Sequence, residues 1–244
     1  MSGWRGVSTA LAAGTLLLVT GCTGASTPGA ETSLSGPTAS RSATAQAEAP
    51  PAATPSAPAS TSEAPATPTP DVDPRTEPAA LSIPDIGLRD LAIVPYEGTT
   101  DDWPGTRIQN EGDGASPYGD QGGVGPGETG NYLVTAHRLS AGGPLRDLPD
   151  LTNGDTVTVV LGDVRYTYRI TATRETSFRS EQSLAEQRAA VPGDPGATPT
   201  KAMITLSTCA TPEDNAAGNF WRDDRGNPEH RIDKIGTLVS AERV

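Results

Sequence analysis

Several segments beyond residue 79 alternate apolar and polar residues with a period of two, which predicts strands. Thr156 to Leu161 and Val164 to Thr173 alternate cleanly and are joined by Gly162-Asp163, a two-residue hairpin signal. Ala80 to Pro84 and Leu91 to Tyr96 make a first strand pair, split by a turn around Gly87, with Pro84 and Pro95 at strand ends or edges. Asn131 to His137 is a further strand, and a last one runs from about Arg231 to Ala241. In Ala202 to Cys209, residues Met203, Thr205, Ser207 and Cys209 alternate with Ala202, Ile204, Leu206 and Thr208. That period turns Ile204 and Leu206 toward a core and Cys209 away from it. Helical spacing is confined to Ser180 to Ala190, capped by Ser180 or Ser183 and ended by Pro192, and to one or two turns within Gly143 to Leu151. Thr99 to Gly130, rich in Gly, Asp and Pro, is too irregular to assign as strands and reads either as a long functional loop, a lid or groove wall, or as strands that the pattern hides. Ala210 to Glu229 is a polar excursion between the last two strands. Many strands, two short helices and no strand–helix rhythm predict an all-β barrel or closed sandwich.

The chain ahead of Ala79 carries no such pattern. Arg5 precedes an apolar run, Val7 to Val19, that leads into Val19, Thr20, Gly21 and Cys22. The run falls short of the roughly 18 to 20 residues of a membrane-spanning helix, and small residues before a cysteine suit cleavage with lipid attachment. Residues 1–21 therefore read as a lipoprotein signal peptide and Cys22 as the lipidated residue; an uncleaved membrane anchor is the alternative. Either reading places the remainder outside the cytoplasm, on the outer face of the membrane. Residues 22–78 then form a stalk, whose 11 of 23 prolines and lack of aromatic rings cannot support a core. Semi-extended at about 3.1 Å per residue, it reaches up to about 150 Å. Residues 79–244 are long enough for one domain with its own core. A formal charge of −12 without a basic stripe argues against nucleic acid as a partner.

Composition matters most through its two cysteines. With Cys22 held by a lipid, Cys209 is an unpaired thiol in a compartment that favours disulfides. Two readings stay open for it, a small buried hydrophobe or a catalytic nucleophile. His137, one of only two histidines, ends an apolar strand at a loop, where a rigid scaffold presents catalytic groups; a structural histidine is its alternative. The other, His230, adjoins Arg231 on a strand, points to the opposite face and reads as structural.

LSIPDIG at Leu81 to Gly87, PGETGNYLVTAHR at Pro126 to Arg138, NGDTVTV at Asn153 to Val159, TLSTC at Thr205 to Cys209 and HRIDKIGTLV at His230 to Val239 together resemble the sortases. These are cysteine transpeptidases of the bacterial cell surface, and the likeness is greatest to class E. The resemblance covers roughly Ala80 to Val239 and implies an eight-stranded β-barrel with short helices and long loops. It further implies Cys209 as nucleophile, His137 as acid/base and Arg231 as the arginine of the last strand, with sorting-signal peptides of the LAXTG kind and a cell-wall amine, such as a peptidoglycan precursor, as partners. The chemistry suits those residue types. A thiolate attacks a carbonyl, an imidazole moves the proton, and a guanidinium with backbone N–H groups stabilises the oxyanion. It needs no cofactor and no metal. Glu213, Asp214, Asp223, Asp224, Asp113 and Asp120 do not fit a twelve-residue calcium loop. Arg231 lies unusually far beyond the cysteine in sequence, so Arg222 and Arg225 stay as alternatives, and the intervening segment with Phe220 and Trp221 is expected to wall the substrate groove. An L,D-transpeptidase fits less well, because its histidine would lie close before the cysteine and an arginine after it, whereas His137 is far upstream and Ala210 follows Cys209. A stalk-displayed binding domain with an unreactive Cys209 is the non-catalytic alternative.

Overall fold

The computed structural model describes Pro68 and residues 70 to 244; the segment expected as a signal peptide, Cys22 and most of the expected stalk lie outside them. Eight strands close into a barrel in the order β1-β2-β3-β4-β7-β8-β6-β5, the architecture expected from the sequence. They are β1 (Ala79–Ile83), β2 (Leu88–Glu97), β3 (Gly114–Tyr118), β4 (Gly130–Thr135), β5 (Thr156–Leu161), β6 (Val164–Ser177), β7 (Ala202–Cys209) and β8 (His230–Arg243). Closure comes from β1, which pairs antiparallel with both β2 and β5 and so leaves no free edge.

Three local signals behave as the pattern demands. Gly87 takes φ 70°, the left-handed conformation glycine adopts without penalty, and closes the turn between β1 and β2. Val157, Val159 and Leu161 of β5 face inward, as do Val164, Tyr166, Tyr168 and Ile170 of β6, in register across the Gly162-Asp163 turn. Leu81, Ile83, Ile93, Tyr132, Val134, Ile204 and Leu206 complete the interior.

The passage from Thr99 to Gly130 departs from the first of its two readings, a long loop. It holds helix α1 (Trp103–Asn110) and strand β3. Asp102 caps α1, its carboxylate accepting from Gly105 N at 2.9 Å. The sequence hides the helix because it carries Pro104 and Gly105 and little apolar periodicity. Gly105 is required all the same, since a Cβ there would run into the ring of Tyr96. β3 contains Gly114 and Pro117, poor strand residues; it holds through parallel pairing with β2, a long-range contact that no local pattern announces. The polar excursion likewise contains a short helix, α3 (Thr211–Ala216). Between Gly143 and Leu151 only Leu148–Asp150 form a 3-10 turn. β6 and β8 run on to Ser177 and Arg243, past the ends read from alternation, and pair with each other through two irregularities in register.

β4 and β7 are buried on both faces. Their inner face is apolar; their outer face carries Asn131, Thr205 and Ser207, covered by helix α2 (Glu181–Arg188). Asn131 Nδ2 donates to the carbonyls of Gln187 and Ala189 at 3.0 and 3.1 Å, Thr205 donates to Asn131 at 2.8 Å, and Gln187 Nε2 donates to Ser207 at 3.1 Å. Asn131, Thr205 and Ser207 thus each find a partner, which offsets the desolvation penalty they would otherwise carry. Ser180 caps α2 by accepting from Ser183 N at 3.1 Å.

Leu206 is fully buried in the strand that ends on the cysteine. Leu206→Ala is expected to lower stability by about 2–5 kcal/mol, read as a reduced urea midpoint at unchanged slope.

Candidate active site

The parallel pairing of β4 with β7 holds one constant offset, from Gly130 with Ala202 to Thr135 with Ser207. His137 lies two residues past the end of β4, where the strand read from the sequence would include it, and Cys209 lies two residues beyond Ser207, so continuing this register brings the two to one level. Ala136 N donates to Ser207 O at 3.2 Å and Thr208 Oγ1 to Ala136 O at 2.9 Å, which carries the pairing up to the histidine. On the other side of β7, the antiparallel register with β8 sets Cys209 directly opposite Arg231. Three neighbouring strands therefore deliver the histidine, the cysteine and the arginine to the same end of the barrel.

His137 and Cys209 line one cavity of about 300 Å³ together with Trp103, Asn110, Arg225 and Asn227. Cys209 is only 7 % exposed, and its sulfur lies 3.9 Å from Asn227 Oδ1. His137 Nε2 is 2.8 Å from Asn110 Oδ1. An amide oxygen there accepts the proton of Nε2 and leaves Nδ1 with its lone pair, free to take a proton. Asn110 ends α1, and Asn227 lies near the end of the excursion. Neither carried a sequence signal, because the segments that deliver them pack from outside the barrel.

Arg231 is 1 % exposed. Its Nη2 pairs with Asp101, and its guanidinium lies 4.8 Å from the ring centroid of Phe178. Of the three candidate arginines it alone stands opposite the cysteine. Arg222 donates to Trp221 O at 2.6 Å and to Asn215 Oδ1 at 2.7 Å, while Arg225 pairs with Asp223 and Asp224 and lies 5.9 Å from the Trp103 ring centroid. A second cavity, about 370 Å³, adjoins through Arg225 and is lined by Asp101, Phe178, Leu184, Arg188 and Trp221 among others. The excursion contributes Trp221, Asp223, Arg225, Gly226 and Asn227 to these two cavities, whereas Phe220 is 70 % exposed and lines neither.

Of the acidic residues weighed for calcium, Glu213 pairs with Arg138 at 3.2 Å, Asp214 with His230 at 2.6 Å, and Asp223 accepts from Asn227 and Arg225. His230 thus sits in a protein-internal ion pair, in keeping with its structural reading.

Burial pushes the Cys209 thiol up; Arg231 and Arg222 pull it back, and Asp101 and Asp223 add to the rise. Burial pushes His137 down, Arg231 does so further, and Asp101 opposes them. Burial therefore favours the uncharged form of both groups, the thiol and the imidazole.

Residues 81–220, more than half of the chain, match the family model for the Sortase domain. Fold and match together define a cysteine transpeptidase. The chain belongs to the sortase family. Among solved structures it is similar to the SrtA sortase from Actinomyces oris, with a TM-score of 0.53 and 21 % identity, covering 75 % of this chain and 89 % of that one. It is also similar to sortase E from Streptomyces avermitilis (TM-score 0.50, 26 % identity, 69 % and 92 % covered) and to the SrtF sortase from Corynebacterium diphtheriae (0.50, 20 %, 75 % and 94 %). No curated protein matches the chain in sequence.

With only two histidines, the charge state is directly measurable. Burial works against a charged His230, but the hydrogen bond to Asp214 and the charges of Glu175, Asp214 and Glu229 outweigh it and raise its pKa. In an NMR titration His230 is expected to deprotonate above pH 6.5, the ordinary histidine value, and His137 below it. By linkage, the stability His230 gains from its carboxylates is present below its unfolded pKa and lost as pH rises through the folded one.

Proposed function

We propose that the protein joins secreted proteins to the cell wall through a thioester on Cys209, with His137 as acid/base and Arg231 as oxyanion stabiliser. The observation that carries this reading is the common level of the three residues at the ends of β4, β7 and β8. A neutral imidazole takes the thiol proton through Nδ1, and the thiolate attacks the Thr carbonyl of the sorting motif. Charge that gathers on the carbonyl oxygen is met by the guanidinium. When the C–N bond to Gly breaks, the imidazolium protonates the leaving amine, and the acyl group remains on sulfur. An acceptor amine then attacks the thioester and gives its proton to His137, and the C–S bond breaks to restore the cysteine. Both half-reactions use the same histidine in opposite directions.

The finer assignment is class E with a motif of the LAXTG kind. It is supported by the strings around Leu81, His137, Cys209 and Arg231 and by 26 % identity to the Streptomyces avermitilis enzyme. We place the enzyme on the outer face of the cell membrane, lipidated at Cys22, with its stalk holding the barrel toward the wall and a peptidoglycan amine as acceptor. The lipobox-like Val19 to Cys22 and the proline-rich stretch up to residue 78 support this placement.

Intact-mass analysis after incubation with an LAXTG peptide tests the reading. An acyl adduct on Cys209, absent in Cys209→Ala, with cleavage lost in His137→Ala, is the expected result. A folded protein that forms no adduct and cleaves none of several motifs would contradict it.

A further inference from the structure

Arg231 enters the site already engaged. Its Nη2 is paired with Asp101, while Nε and Nη1 are buried with no hydrogen-bond partner. The pair is enclosed, at 1 % and 2 % side-chain exposure, and Asp101 Oδ2 is unpartnered as well. Orphaned buried donors of this kind carry a large desolvation cost unless something satisfies them. Asp101 itself stands at φ 63°, in the left-handed region that a non-glycine residue seldom adopts and that surrounding structure must impose.

The imposing structure is present on both sides of it. Tyr96 donates to Thr99 O at 2.5 Å, and the Asp102 carboxylate accepts from Thr99 N at 3.1 Å while it caps α1. Thr100 Oγ1 donates to Gln187 Oε1 at 3.2 Å and accepts from Arg188 Nε at 3.0 Å, which ties the loop to α2. Gln187 in turn donates to Asp233, two residues beyond Arg231 on β8, at 3.0 Å. The β2–α1 loop is thus fastened to β2 and α2 through Thr99 and Thr100, ahead of Asp101, and to α1 through Asp102, after it.

We propose that Asp101 is a positioning residue for the transfer reaction: it anchors Arg231 by Nη2, leaves Nε and Nη1 as the donors to be completed by substrate, and balances the positive charge that Cys209 faces. This rests on the assignment of Cys209, His137 and Arg231 above. The thiol is faced by Arg231 from β8, Asp101 from the β2–α1 loop, and Asp223 and Arg222 from the excursion, and it shares its cavity with Arg225 of the excursion and with His137 and Arg138 just past β4. Removing the Asp101 charge strips Arg231 of its largest compensating charge and leaves Asp233 and Asp223 to face it, so the thiolate forms at lower pH although the oxyanion donors lose their orientation.

The test uses the full chain, with iodoacetamide alkylation of Cys209 followed across pH by peptide mass mapping, alongside turnover of an LAXTG peptide. Asp101→Asn keeps the shape, and Asp101→Gly relieves the positive φ should the first variant fold poorly. In both, the alkylation midpoint is expected to move to lower pH, and kcat to fall by about tenfold or more with KM little changed. Asp101→Glu should return the midpoint toward that of the unaltered chain. Thr100→Ala, which loosens the loop but keeps its charge, should leave the midpoint in place. An unmoved midpoint in the charge-removing variants, an equal shift in Thr100→Ala, or a rise in kcat would overturn the proposal; the rise would make the pair a latch that substrate must break. Because alkylation needs no turnover, its midpoint still judges Asp101 should the peptide not be a substrate.

Discussion

The parallel pairing of β4 with β7 is the constraint on which the site depends. A strand register moves in whole residues, and a slip of one would turn the side chains of the shifted strand to the opposite face. While the offset that pairs Gly130 with Ala202 holds, His137 keeps level with Cys209, and the β8 register then sets Arg231 across from the thiol. Pinning that offset requires both faces of the two strands to be specified. Ile204 and Leu206 fix the inner face by burial, and the bonds of Asn131, Thr205 and Ser207 to one another and to α2 fix the outer one. The polar residues of TLSTC thus hold the strand in place as well as leading to Cys209.

A second layer surrounds this frame. α1 supplies Asn110 to the imidazole, the β2–α1 loop supplies Asp101 to the guanidinium, and the excursion after Cys209 supplies Asn227 to the sulfur. Each catalytic candidate therefore touches a polar partner from an element outside the barrel. The electrostatic environment favours the uncharged forms of Cys209 and His137. Burial disfavours both thiolate and imidazolium, and the cation buried beside them, Arg231, is offset by Asp101.

Much of the frame was legible in the sequence because it rests on local pattern. Two-residue alternation with Gly162-Asp163 located β5 and β6, and the serine cap located α2. The strand ending on Cys209 and the strand-borne His137 could be named from motif and position alone. α1 and β3 were not legible, since their residues have poor intrinsic propensity and are held by Tyr96 and by pairing with β2. The polar partners Asp101, Asn110 and Asn227 escaped for a related reason. Their partners lie 130, 27 and 18 residues away along the chain, and only the closed fold brings them together. The relation of the three arginines to the thiol likewise needed the register, which sets Arg231 opposite Cys209 despite its distance from it in sequence.

The measurement closest to the central claim is the single-turnover rate of Cys209 acylation by a sorting peptide in Arg231→Lys, Arg222→Ala and Arg225→Ala. The register predicts a large loss in Arg231→Lys, by about a hundredfold as for removal of an oxyanion donor, with the other two close to the unaltered enzyme. Acylation that survives Arg231→Lys but collapses in Arg222→Ala or Arg225→Ala would contradict the account and move the oxyanion donor into the excursion.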